Sequence, residues 1–136
     1  MRASPHGRGA DVEEVLIGLL TGATTVTDLT AEVNWGVHPQ GVPFPGVVLN
    51  VVGGTSGVTL DGPNGTGSAL VQVDAYAATY GEAKLLSRAI EAVLNGHRGG
   101  AIMGVFLVSR RDGREGDVTA DRPFRVSTDF RIHYRR

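Results

Sequence analysis

The chain has 136 residues, no cysteine, 41% hydrophobic residues and a formal net charge of -1, a length that suits one domain with a substantial buried core. Without cysteine there are no disulfides, thiolate metal sites or cysteine nucleophiles, and a reducing compartment such as the cytoplasm is the default expectation. No apolar run approaches the roughly 20 residues of a membrane span, and the start, "MRASPHGRGAD", lacks the apolar stretch of a signal peptide.

Residues 1–10 therefore read as a flexible arm ahead of a single domain over 11–136. In "DVEEVLIGLLTG", Val12, Val15, Leu16, Leu19 and Leu20 recur at helical spacing. Asp11 and Glu14 stand as a capping-box-like pair and Gly22 as a stop, which predicts a short amphipathic helix. "TTVTDLTAEVNWGVHPQGVPFPG" carries Pro39, Pro43 and Pro45, each of which removes a backbone donor, so it reads as an ordered connector. "VVLNVV" over 47–52 is a buried strand bounded by glycines. The glycine-rich segment after it reads as a long loop with a short hairpin at Val58–Leu60.

From Val71 the chain alternates apolar Val71, Val73, Ala75 and Ala77 with Gln72, Asp74 and Tyr76, a strand with one apolar face. Thr79 and Glu82 then cap a second helix whose stripe is Ala83, Leu86, Ile90, Val93 and Leu94, closed by Asn95–Gly96. "AIMGVFLVSRR" reads as an apolar strand at the centre of the sheet. "FRVSTDFRIHYRR" has period two, with Phe124, Val126, Thr128, Phe130, Ile132 and Tyr134 on the core face and Arg125, Ser127, Asp129, Arg131, His133 and Arg135 on the wet one. The expected fold is α+β: one mostly antiparallel sheet of about four strands packed on two α-helices, with long glycine-rich loops.

Charge is unevenly placed. Residues 1–97 hold four Lys/Arg against nine Asp/Glu, and residues 98–136 nine against five, so a part at -5 precedes a part at +4. Opposite charge on one chain favours head-to-tail contact between copies, whereas a nucleic-acid binder shows a basic excess overall. The plain alternative is that both parts carry solvated faces.

No catalytic template is met. His6, His38, His97 and His133 are far apart and lack metal-ligand spacing. "GPNGTGS" matches neither common phosphate-loop pattern. "GTSG" around Ser56 lacks the helix a nucleophile elbow requires. Asp74 and Glu82 each have a structural place already. Neither a cofactor nor a metal is expected. The feature that stands out is a row of cations, Arg125, Arg131 and Arg135 with His133, joined by Arg110, Arg111 and Arg114 as a candidate interaction surface for carboxylates on another subunit or for phosphate. A solvated outer sheet face is the alternative. Gly53, Gly54, Ser56, Asp61 and Asn64 form a candidate docking loop, and the loops over 53–69 and 110–123 are expected to order on docking. A small-ligand or nucleotide-binding module is the reading from another class.

The order of a short N-terminal helix, "PFPGVVLNVV", a glycine-rich loop, "LVQVDAYAATYGEAKLLSRAIEAVLNG" and a terminal "FRVSTDFRIHYRR" resembles the tail-completion or tail-terminator proteins of long-tailed bacteriophages and of phage-like gene transfer agents. The resemblance spans the chain from about Asp11 and is most specific in the "VQVDAYA" to "VL" block. It implies a structural protein without catalysis: a ring, typically hexameric, that caps the tail tube, stops its polymerisation and faces the head connector. Implied partners are further copies, the tail tube protein and the head-tail connector protein. No membrane is implied, and nucleic acid at most passes through the ring. The subunit would wait in the host cytoplasm and end in the virion or phage-like particle. A head-completion ring of the neck is the alternative within this class.

Overall fold

In the computed structural model of the chain, residues 8–52, 60–61, 66–114 and 123–135 are described. The first helical pattern forms α1 (Arg8–Thr21), in which Val12, Leu16 and Leu20, one turn apart, are buried. A single-turn helix, α2 (Thr24–Thr27), buries Val26 and leads to the three-residue strand β1 (Val33–Trp35). The strands β2 (Gly46–Val51), β3 (Leu60–Asp61) and β4 (Thr66–Ala77) follow. The second helix, α3 (Tyr80–Leu94), is capped by Thr79, whose hydroxyl accepts from the Glu82 amide at 3.2 Å. Two long strands, β5 (Ile102–Arg114) and β6 (Phe124–Arg135), complete the chain.

The sheet order is β1-β2-β4-β6-β5, with β3 paired to β4, and every pairing is antiparallel except β1 with β2. The four long strands are those expected; β1 is a short addition, and β3 includes Leu60 of the expected Val58–Leu60 hairpin. The two long helices, α1 and α3, lie on one face. There Leu16, Leu86, Ile90 and Leu94 meet Leu49, Val71, Val73, Phe130 and Ile132 in one buried cluster, the largest source of stability in such a layered arrangement.

Four expectations need correction. The apolar strand β5 lies at an edge, not at the centre. The central places go to β4 and β6, which pair along twelve residues, while β5 turns Phe106 and Val108 outward. Helix α1 begins at Arg8, so Asp11 stands inside the helix and is not its N-cap. β4 reaches back to Thr66 and β5 on to Arg114, because the β6 ladder extends both strands into segments read as loop. The second face of β6 is not uniformly wet, since Ser127 and Asp129 are buried. Val58 lies outside the described residues.

Gly67 has a defined use. It stands opposite Tyr134, and a Cβ there would lie 2.7 Å from the Tyr134 ring and hydroxyl. The missing side chain lets the ring cross the sheet into the core.

Candidate functional site

The face of the sheet away from the helices carries a polar ladder across three strands. Ser127 Oγ donates to Asp74 Oδ1 at 2.6 Å, and Gln72 Nε2 donates to the same carboxylate at 3.0 and 3.1 Å. One step toward the β5 edge, Asp129 accepts from Ser109 Oγ at 2.7 Å and from Arg111 Nη1 at 2.6 Å. Arg111 Nη2 then reaches Gln72 Oε1 at 3.2 Å, so the guanidinium and the Gln72 amide together link the two carboxylates. Burial raises the Asp129 carboxyl, but hydrogen bonds from Arg111 and Ser109 outweigh it, and the group stays below its ordinary range. The same bond from Asp129 holds Arg111 above its usual value.

The predicted cations divide between the two faces. Arg110, one residue from Arg111, points to the helices and forms a two-pronged pair with Glu91 of α3, at 3.0 and 2.7 Å. Arg111, Arg125, Arg131, His133 and Arg135 share the open-face register of β5 and β6. Arg114 enters by its backbone position, opposite Phe124. Of the candidate docking loop, Gly53, Gly54, Ser56 and Asn64 lie outside the described residues, and Asp61 pairs with Gly67 in β3. His38 stacks on Phe44 at 4.5 Å with its Nε2 2.8 Å from the Val42 carbonyl. Among the described residues, no group of three His, Cys, Asp or Glu is placed to hold a metal ion, and no helix is long and apolar enough to cross a membrane.

Sequence reasoning missed two surfaces, one at each end of the sheet. At the β5 end, Phe106, Val108 and Met103 are 52%, 53% and 40% exposed. The Phe106 ring lies over Gly104, where a Cβ would come within 2.8 Å, and meets His133 edge-on at 5.8 Å. The neighbouring backbone is tied to the end of α3, since the Leu107 amide donates to Asn95 Oδ1 and the Val105 carbonyl accepts from the Gly96 amide. This edge therefore offers side chains more than open backbone. At the β1 end, Glu13, Glu14, Ile17 and Gly18 of α1 and Trp35 of β1 line a cleft of about 420 Å³. Burial, then the charge of Glu14, raises the Glu13 carboxyl. The period-two pattern of β5 was a signal for the first surface, but only the strand order shows that its outward side chains lie at an edge.

A hydrogen-bonded polar ladder between two sheet ends that expose apolar side chains suits a protein that binds other proteins. The family model "Tail completion protein gp17" matches residues 14–135. The chain belongs to the tail completion protein gp17 family. As a tail completion protein it has a structural role in a phage-type tail particle and is not an enzyme. No curated protein matches the chain. Among solved structures, a chain of the "Virion of native gene transfer agent (GTA) particle" is similar to this tail completion protein. Identity is 19%, the TM-score is 0.61, and the match covers 89% of this chain and 92% of that one. The shared fold is thus the α+β sheet with helices on one face.

Proposed function

We propose that this tail completion protein assembles into a ring, hexameric in the completed particle, that caps the tail tube, ends its polymerisation and joins the tail to the head. Its partners are further copies of itself, the tail tube protein and the head-tail connector protein. The observation that carries this reading is the inequality of the two sheet ends: an apolar, cationic edge at β5 and an apolar, acidic cleft at β1. Unlike surfaces at opposite ends of one subunit repeat head to tail, and such contacts close into a ring when the rotation per subunit permits. Family membership and the likeness to a chain of a gene transfer agent virion support the tail as the setting.

Deleting the gene from its phage or gene transfer agent tests the proposal. The expected result is tails of uncontrolled length that do not join heads, restored by supplying the protein in trans. Tails of normal length joined to heads without the protein would contradict it. Labelling on the head side alone, with no contact to the tube, would favour a neck ring instead.

A further inference from the structure

The open end of β5 and the cleft beneath α1 match one another in chemistry. The cleft presents the side of Trp35, Ile17 and a bare stretch of helix at Gly18, where a Cβ would meet nothing within 4 Å. It is an open, mostly apolar hollow of about 420 Å³ on the surface, against which an aromatic side chain can lie. Its rim holds two adjacent carboxylates, the half-buried Glu13 and the exposed Glu14, a pair that a cation would complement.

The β5 end supplies the counterparts. The Phe106 ring lies over Gly104 and meets His133 edge-on, with about half of the residue left exposed, so it projects where a partner can cover it. Arg131 is its direct cross-strand partner on the open face, which puts a cationic residue at the position beside the projecting ring. Val108, at the register shift between Leu107 and Ser109, extends the apolar contact.

Resting on the ring reading above, we infer that Phe106 and Val108 of one copy seat in the Glu13–Trp35 cleft of the next, with Arg131 meeting the Glu13–Glu14 pair. The occupant is a second copy of this chain because each surface carries what the other lacks: the projecting ring and cation on one, the hollow and carboxylates on the other. Neither surface is self-complementary, so the contact is heterologous and every subunit uses both of its ends. Charge complementarity sets the register and speeds encounter, while the apolar contact holds the junction.

Two variants separate the surfaces. Phe106→Asp removes the projection and keeps the cleft; Gly18→Phe fills the cleft from its own helix and keeps the projection. Gly18 is exposed, and phenylalanine is the better helix former, so the second fold is retained. Should Phe106→Asp melt early, Val108→Asp takes its place. Each is sized by native mass spectrometry, alone and mixed, beside the wild type, in free solution and on isolated tail tubes. The expected result is wild-type rings, at least tenfold loss of rings for each variant alone, and one-to-one dimers from the mixture, which has a single intact junction per pair. Variants that keep rings, or a mixture that stays monomeric while the wild type forms rings, overturn this junction and leave the ring proposal standing. A wild type that forms no ring in either setting overturns the ring proposal, and the junction with it.

Discussion

Arg111 donates to Asp129 at 2.6 Å across the β5–β6 pair, and through Gln72 and Ser109 the same two residues tie three strands together on the face opposite the helices. Asp129 is nearly buried and Arg111 about half exposed, so most of the penalty for breaking the pair falls on the carboxylate side. Asp129→Ala is expected to lower the unfolding free energy by about 1.5–3 kcal/mol, the usual range for hydrogen bonds to charged groups. Urea unfolding at neutral pH measures it.

The same carboxylate sets an acid limit. Burial opposes but hydrogen bonds from Arg111 and Ser109 prevail at Asp129, and a hydrogen bond from Arg110 lowers Glu91, so both groups titrate lower folded than unfolded. Their contribution is present above the unfolded values, about 3.9 for Asp and 4.3 for Glu, and is lost as pH falls through the folded ones. Glu13, raised by burial, has the opposite sign: its contribution is present in acid and fades as pH rises through its folded value. Two lowered groups against one predict a melting temperature that falls as pH drops below the unfolded carboxylate values of about 4. Thermal melts should show a shallower fall in Asp129→Ala.

Gly67 and Tyr134 make a second cross-strand dependence. A methyl group at position 67 would meet the tyrosine ring at 2.7 Å, so Gly67→Ala is expected to cost about 1–3 kcal/mol by overpacking. Among the described residues, the buried Tyr134 hydroxyl has no hydrogen-bond partner. Tyr134→Phe should therefore be neutral or stabilising by about 1 kcal/mol. Opposite signs at two touching residues would identify the contact as steric; denaturant midpoints of both variants decide it.

The helix-sheet core gives the largest expected loss. Ile90 is 1% exposed, and Ile90→Ala should remove about 2–5 kcal/mol by combining lost burial with a cavity. A soluble variant with an unchanged melting temperature would refute the packing of α3 on β4 and β6.

Arg131→Glu should leave melting unchanged and impair assembly, because Arg131 stands beside Phe106 on the open face. Arg110→Ala, whose partner is Glu91 on the helix side, should change assembly little. Counting rings in negative-stain images of both variants tests the division of the two faces.

The helices and long strands were legible because one physical pattern dominates each. Leu86, Ile90 and Leu94 form a helical stripe closed by Thr79 and Gly96, and Phe124 to Tyr134 alternate in a single period. The position of β5 was not legible, since an apolar run suits an edge that meets another protein as well as a buried centre. The polar ladder was half visible: Gln72, Asp74, Ser127 and Asp129 occupy alternate positions, but only the register sets Asp74 opposite Ser127. The division between Arg110 and Arg111 follows from simple alternation, yet the partner that holds Arg110 is a helix residue nineteen positions away. The α1–β1 cleft had no signal in the sequence, because it joins two short elements by their packing.

The most direct test of the central claim is electron microscopy of isolated tail tubes polymerised with and without the purified protein. The account predicts a closed ring at one tube end and an arrest of elongation when the protein is present. Tubes that continue to lengthen at saturating protein, with no ring at either end, would contradict it.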